Sequence, residues 1–455
     1  MLVPHNMSGK KVGILGLGLS GMAAARALIA GGATVFLHDD NHRPDSLPAG
    51  AALCDWRDWP WESLASMVIS PGIPHHHPRP HAAAARAGEA GVEVISEIEI
   101  AMRALPAARI VAVTGTNGKS TTTALIGHCL RDAGKAVAVG GNIGDAACNL
   151  DNPGADGVIV LELSSYQLET TPSLRADVAI LLNITPDHLD RHGGMAGYVA
   201  AKGRILDAAG TGGLVITASH DSHVQGLAAA HVASGGTVIT LSEQDTPSGI
   251  ASSSALAGAH NAANAAVAAV CLRHLGLQDA AINAAMAGFA GLPHRLQPVA
   301  RHGDISFVND SKATNGVAAA KALAAFDNIY WIAGGEAKAD GLGEAAAAAA
   351  NVTHAYLIGS SAEEFAATLA SEKAGRVPVT LSGDLERATV TAFADARAAR
   401  RAATILLSPA AASFDQFTSF VARGEAFTAI ATRLAADGPS AAARMNGAVK
   451  GGAHA

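Results

Sequence analysis

An apolar β-branched run, Ile110-Val111-Ala112-Val113, feeds Thr114-Gly115-Thr116-Asn117-Gly118-Lys119-Ser120-Thr121 and then a helical pattern, Ala124-Leu125-Ile126 with Cys129-Leu130. Strand, glycine loop and helix start together make an anion site. Backbone N–H groups and the positive helix end face phosphates, Lys119 adds a point charge, and a hydroxyl from Ser120 or Thr121 reaches Mg²⁺. The spacing departs from the common phosphate loop, because Val113 stands where that pattern has its first glycine. What remains, Gly115-x-x-Gly118-Lys119-Ser120, is a shorter loop. A Gly/Thr-rich turn with an incidental lysine is the competing reading, but the flanking strand and helix favour a nucleoside-triphosphate site.

Other residues could serve the same chemistry. Glu162 ends the apolar run Val158-Ile159-Val160-Leu161, and a carboxylate inside a buried strand is costly unless it is paired or binds a metal. The run Val178 to Thr185 ends in Pro186-Asp187-His188-Leu189-Asp190-Arg191-His192, a polar set that packing alone does not explain. Lys202, on the following helical stretch, reads by itself as an ordinary surface lysine. Asn261 and Asn264 share a helix face, where capping and local hydrogen bonding account for them equally well. The run His75-His76-His77 invites a metal reading. Consecutive residues on a loop flanked by Pro74 and Pro78 do not converge on one ion, so a solvated loop is expected.

The elements that must position these groups alternate strand and helix throughout. Residues 1–106 open with a strand (Lys10 to Leu15), the turn Gly16-Leu17-Gly18-Leu19-Ser20-Gly21, an alanine-rich helix, and a strand ending at Asp39. That is the dinucleotide-type fingerprint, but its glycines allow close approach to any diphosphate, a UDP-sugar as well as NAD. Residues 107–297 hold the phosphate loop and the strands ending at Glu162 and Thr185. Residues 298–455 add further strands, with polar clusters at Asn309-Asp310-Ser311-Lys312-Ala313-Thr314-Asn315 and Ser413-Phe414-Asp415-Gln416-Phe417. The expected fold is α/β in three domains: a Rossmann-like first domain, a central phosphate-loop ATPase domain with a mostly parallel sheet, and a Rossmann-like third. Linkers are expected near Pro106 and Pro298, and disorder from about 437. At 455 residues there is room for three cores. A net charge of −7 argues against a general nucleic-acid or anionic-membrane surface, and four scattered cysteines read as reduced thiols. With no apolar run approaching a membrane span and no signal pattern, a cytoplasmic protein is expected.

The phosphate loop, Asn183-Ile184-Thr185-Pro186-Asp187-His188-Leu189-Asp190, His260-Asn261-Ala262-Ala263-Asn264, and the Asn309 to Asn315 cluster resemble, in this order, the Mur ligases. The Gly16 to Gly21 turn and the Leu407-Ser408-Pro409 to Phe417 stretch extend that resemblance over nearly the whole chain. It implies an ATP-dependent, peptide-bond-forming ligase of peptidoglycan precursor synthesis, and hence of cell-wall growth and division. The Asp310 to Asn315 cluster resembles most the members that add D-glutamate to UDP-N-acetylmuramoyl-L-alanine. The residue roles that follow are what the resemblance implies. Gly115 to Thr121 would hold ATP phosphates, with Asn264, Arg295 and Asp310 at its adenine and ribose. Ser120 and Glu162 would hold one Mg²⁺, and His188 with a carbamylated Lys202 a second, so that Lys119, Glu162, His188 and Lys202 are the catalytic set. Leu19, Ser20 and Asp39 would meet the uracil end, Ser70 and Gly72 the precursor, and Asn142 and Ser164 its sugar–peptide part. Lys312, Thr314, Lys338, Ser413, Phe414 and Phe420 would meet D-glutamate. Phe414 stands where relatives often have leucine, and Asn41 where some have arginine. A monomer acting on these small molecules is expected. The alternatives are a Mur-type or folylpolyglutamate-type ligase adding another residue, an NAD-dependent oxidoreductase built on Gly16 to Gly21, and a non-catalytic nucleotide switch.

Overall fold

A computed structural model describes residues 1–44, 46–104, 107–218, 221–241, 247–248, 250, 253, 256, 259–337, 341–371 and 377–437. The chain forms two compact units, Met1–Phe289 and Ala290–Ala455. The first unit holds two parallel sheets. One comprises β1 (Lys11–Leu15), β2 (Thr34–His38), β3 (Ala51–Leu53), β4 (Leu64–Ile69) and β5 (Glu93–Ile95), in the order β3-β2-β1-β4-β5. From β1 the chain builds outward first on one side and then, through β4, on the other. The crevice beyond the C-terminal ends of β1 and β4 is therefore the switch point where open α/β sheets take ligands. The Gly16–Gly21 turn and the Ser70–Gly72 turn meet there, and Ser70 Oγ donates to the Gly16 carbonyl at 3.0 Å. Gly21 has no room for a side chain, since a Cβ would run into the Gly16 carbonyl oxygen, and this lets the helix Leu19–Ala30 sit close over β1.

The second sheet comprises β6 (Arg109–Thr114), β7 (Val137–Gly141), β8 (Val158–Glu162), β9 (Val178–Leu181), β10 (Leu214–Thr217) and β11 (Thr237–Thr240), in the order β11-β10-β9-β6-β8-β7, all parallel. Helices cover both faces, so β8 and β9 are buried at every position and read as unbroken apolar runs. β6 lies between β8 and β9, with Val113 level with Glu162 on one side and Ile180 on the other. The loop that follows β6 thus emerges between Glu162 and the chain that follows β9. The two sheets of this unit are joined by polar contacts: Ser96 N donates to the Thr170 carbonyl at 2.8 Å, Ser96 Oγ meets Thr171 Oγ1 at 2.7 Å, and Ser173 N donates to Glu99 at 2.9 Å.

The second unit has a mixed sheet: β12 (Gln297–His302), β13 (Ile305–Asn309), β14 (Ile329–Gly334), β15 (Val352–Ile358), β16 (Val379–Gly383) and β17 (Ala403–Leu407), in the order β12-β13-β17-β14-β15-β16. Only β12 runs antiparallel to its neighbour. Pro298, expected in a linker, instead lies in this edge strand opposite Val308, a place that tolerates a residue without an N–H donor. The break between the units falls at 289/290. The other expected linker, Leu105-Pro106, and the tail beyond 437 lie outside the described residues. Among the described residues no helix is long and apolar enough to cross a membrane.

Trp331 is the largest fully buried side chain of this core, and its Nε1 donates to the Ser408 carbonyl at 2.8 Å. The indole therefore fixes the end of β17, beside Asp310. Trp331→Ala should lower the stability of the full chain by about 3–5 kcal/mol in urea unfolding followed by circular dichroism; an unchanged midpoint would contradict this account of the core.

Candidate active site

The phosphate loop is anchored by hydrogen bonds to the chain leaving β9. Thr116 N donates to the Asn183 carbonyl at 2.9 Å, Asn117 N to Asn183 Oδ1 at 2.9 Å, and Asn183 Nδ2 returns to the Asn117 carbonyl at 3.1 Å. Thr116 Oγ1 accepts from Thr185 N at 3.0 Å and lies 3.0 Å from Tyr198 Oη. Gly118 caps the helix Lys119–Asp132 with φ +85°, and a Cβ there would sit 2.5 Å from Asn264 Oδ1. The loop is preorganised before any phosphate arrives, with its N–H groups at the positive end of a helix of 14 residues.

Two lysines converge on it. Lys119 Nζ donates to the carbonyls of Gly115 and Thr116, each at 2.9 Å, and Lys202 Nζ donates to the same Gly115 carbonyl at 2.8 Å. Lys202 is not the surface residue that its sequence context indicates: it is 1% exposed and its ammonium lies 4.8 Å from the Tyr198 ring centroid. Burial, then repulsion from Lys119, pushes it down to about 7 against the pull of Asp187 and Glu162. Glu162 is 2% exposed. Its Oε1 accepts from Asn142 Nδ2 at 2.8 Å, while Oε2 is buried without a hydrogen-bond partner among the described residues. A buried carboxylate oxygen left in this state fits a hard divalent cation. His188, half exposed, adopts φ +52°, with Asp187 at 3.5 Å and the Tyr166 ring at 5.4 Å. Among the described residues no three His, Cys, Asp or Glu side chains group closely enough to hold a metal. The expected set offers only Glu162 and His188 of those types, so water and phosphate oxygens would complete any Mg²⁺ shell.

In the first sheet, Asp39 accepts N–H bonds from Leu17 at 2.7 Å, Asn41 at 2.9 Å and His42 at 2.8 Å. Burial raises its carboxyl, but these three backbone donors outweigh it and hold it below the usual range. Leu19 projects from the turn, 85% exposed, next to Ser20. Ser164 caps the short helix Ser165–Glu169 in a reciprocal box with Gln167. Of the three histidines, His76 and His77 are exposed as expected. His75 turns inward, with Nε2 3.6 Å from Glu169, and burial pushes it down to about 4, so it is neutral there.

The second unit gathers its own set. Asp310 accepts from Ser408 Oγ at 2.9 Å and Leu296 N at 3.2 Å. Lys312 Nζ lies 5.2 Å from the Phe420 ring centroid. Ser413 is 2% exposed, with a hydroxyl that has no hydrogen-bond partner among the described residues, Phe414 beside it is 70% exposed, and Thr314 follows Lys312 in a tight turn. Arg295 is exposed on the approach to β12, and Lys338 lies outside the described residues. Sequence reasoning missed Arg423: its guanidinium donates to Ser311 Oγ, the Ser311 carbonyl and the Ala411 carbonyl at 3.0 Å and to the Ala412 carbonyl at 3.2 Å. It also passed over Tyr198, although Tyr198 and Lys202 stand four apart on one helix, the spacing that marks a shared face.

The Mur ligase middle domain matches residues 113–251, and the Mur ligase glutamate ligase domain matches residues 294–411. Relatives named UDP-N-acetylmuramoylalanine–D-glutamate ligase are 43% identical in Agrobacterium fabrum, over 94% of this chain and 96% of theirs, and 44% identical in Rhizobium meliloti, over 94% and 97%. The chain belongs to the Mur ligase family. Solved Mur ligases share the fold of this one at low identity. The UDP-N-acetylmuramate–alanine ligase of Thermotoga maritima aligns with a TM-score of 0.58 at 18% identity, covering 92% of this chain and 98% of that one. MurF ligase of the same organism, solved in complex with ADP, aligns at 0.51 and 15%, covering 94% and 96%. Family membership sets aside the oxidoreductase reading of the glycine turn.

In this Mur ligase burial pushes the Asp310 carboxyl up to about 7, against the bonds from Ser408 and Leu296. Its folded value is raised, so its contribution favours the fold below about pH 4 and is lost as pH rises through about 7. Asp310→Asn keeps a group able to serve both neighbours, and should flatten the fall in stability between about pH 4 and 7 seen by urea unfolding of the parent. Parallel pH profiles would contradict a buried, near-neutral Asp310.

Proposed function

We propose that this chain joins D-glutamate to the L-alanyl carboxylate of UDP-N-acetylmuramoyl-L-alanine, with ATP cleaved to ADP and phosphate. The observation that most supports an ATP-driven ligase is the short phosphate loop held between buried Glu162 and Lys202; the choice of D-glutamate is supported by the relatives of that name. Residues 1–106 would hold the precursor, 107–297 the ATP, and 298–455 the amino acid.

In the first step a carboxylate oxygen of the precursor attacks the γ-phosphorus, the bond to the β–γ bridging oxygen breaks, and ADP leaves. Phosphoryl transfer needs alignment and charge neutralisation more than covalent help. The loop N–H groups and Lys119 would supply both. Magnesium, held by Glu162 with Ser120 or Thr121 and at a second site by His188 with a carbamylated Lys202, would neutralise phosphate charge when bound. In the second step the amine of D-glutamate attacks the acyl carbon, loses a proton, and the carbon–oxygen bond to phosphate breaks. The unpartnered Ser413 hydroxyl, Lys312 and Thr314 would hold the two carboxylates of D-glutamate, as would Lys338. Arg295 and Asp310, with Asn264, are assigned to the nucleoside. Purified chain with ATP, Mg²⁺ and the precursor should release phosphate with D-glutamate and not with L-glutamate, L-alanine or meso-diaminopimelate; release only with another amino acid overturns the assignment.

Lys202 as a carbamate would turn the Lys119–Lys202 repulsion into attraction. Carbon dioxide reacts with a neutral amine, and a lysine held at about 7 is substantially neutral at physiological pH. With ¹³C-bicarbonate, a carbamate resonance absent from Lys202→Arg should grow between pH 6 and 8. Lys202→Ala should lose about 100-fold or more in kcat and regain part of it with added short carboxylates. No resonance and no rescue would rule the carbamate out.

A further inference from the structure

Beside this site Arg191, Tyr166, His192 and Glu169 have no part in the steps above. Arg191 Nη1 donates to the Gly72 carbonyl at 3.0 Å and Nη2 to the Pro71 carbonyl at 3.3 Å, while the guanidinium lies 4.5 Å from the Tyr166 ring centroid. Tyr166 stacks on His192 at 5.2 Å and 10°, and leans against His188 at 5.4 Å. The His192 side chain is wholly buried; Nε2 meets Ser165 Oγ at 2.9 Å and Nδ1 meets Glu169 Oε1 at 3.1 Å. Glu169 Oε2 then faces His75 of the first sheet's turn.

A serine, histidine and glutamate in line resemble a nucleophile relay, but Ser165 is 3% exposed and His192 is buried, so no substrate carbonyl reaches them. The cluster has a different geometry of use. Pro71, Gly72 and His75 belong to the turn after β4, whereas His188, Arg191 and His192 belong to the segment after β9. Tyr166 and Glu169, just after β8, stand between the two. His188 occupies a left-handed backbone conformation that is unfavourable for a non-glycine residue and persists only where its surroundings hold it.

We propose that Arg191 and His192 are positioning residues that clamp the His188 segment to the Ser70–His75 turn, so that ligand held at that turn and metal held at His188 bind cooperatively. This rests on the ligase reading above for what the two ligands are. The clamp requires two parallel donors on Arg191, which Lys does not supply.

The test uses the full chain, Mn²⁺ with ADP as the metal probe read by electron paramagnetic resonance, and UDP-N-acetylmuramoyl-L-alanine. In the parent the precursor should tighten Mn²⁺ binding, and in Arg191→Lys that tightening should shrink by about 5-fold or more. KM for the precursor should rise and kcat fall, with KM for D-glutamate unchanged. Arg191→Met and His192→Gln give the same readouts if the first variant is poorly folded, and Glu169→Gln, which retains a hydrogen-bond partner for His192, should restore most of the coupling lost in Glu169→Ala. Equal coupling in parent and variants with only a lowered Tm, or no coupling in the parent, overturns the proposal. A parent that couples the two ligands yet turns over no D-glutamate leaves this inference standing and defeats the function proposed above.

Discussion

Two ammonium groups donate to one backbone oxygen, that of Gly115, and much of the first unit follows from that arrangement. Burial first, and then repulsion between like charges so placed, pushes Lys202 down to about 7. Bringing Lys202 there requires its helix to lie against the loop, which Tyr198 secures one turn earlier through Thr116. Holding Gly115 there requires its extended, positive-φ backbone, with Leu182 packed where a side chain would go. The loop is therefore held from beneath, with the Thr116 and Asn117 amides already bonded to Asn183 and the start of the helix at Lys119 left at its head.

The first half of the chemistry was legible because it is written in contiguous residues. A strand, a glycine loop and a helix start are adjacent in sequence, so Gly115 to Thr121 declares itself, and Glu162 does too, as a charge in an apolar run. Lys202 was legible only through the resemblance, since its burial depends on a helix packing across the sheet. Arg423 left no local signal: the Ser311 carbonyl is far from it in sequence, and those of Ala411 and Ala412 lie in a separate loop before its helix. Length and burial alone did not decide which strands were read: β10 went unread although it is as short and as buried as β9. β11 is largely exposed, and β12 mixes proline, arginine and histidine on an edge, so their periodicity was too weak to see.

In the second unit Arg423 does for the chain after β13 and β17 what backbone donors do for Asp39 in the first. A guanidinium 1% exposed closes the chain ends after β13 and β17 upon each other, and burial pushes it down to about 10, leaving it charged at neutral pH. Such a group is costly to desolvate, and its bonds to Ser311, Ala411 and Ala412 offset that cost. The same closure leaves Ser413 with a buried hydroxyl and Phe414 with an exposed ring.

Gly118 and Asn264 occupy one small volume. With φ at +85° and the Asn264 amide oxygen 2.5 Å from where a Cβ would stand, a side chain at 118 displaces the amide, and a larger group at 264 presses on the loop. Neither position is free to drift by itself. A substitution at either position is then expected to need a compensating change at the other, so that the helix that would read the base and the loop that would hold the phosphates keep a common fit.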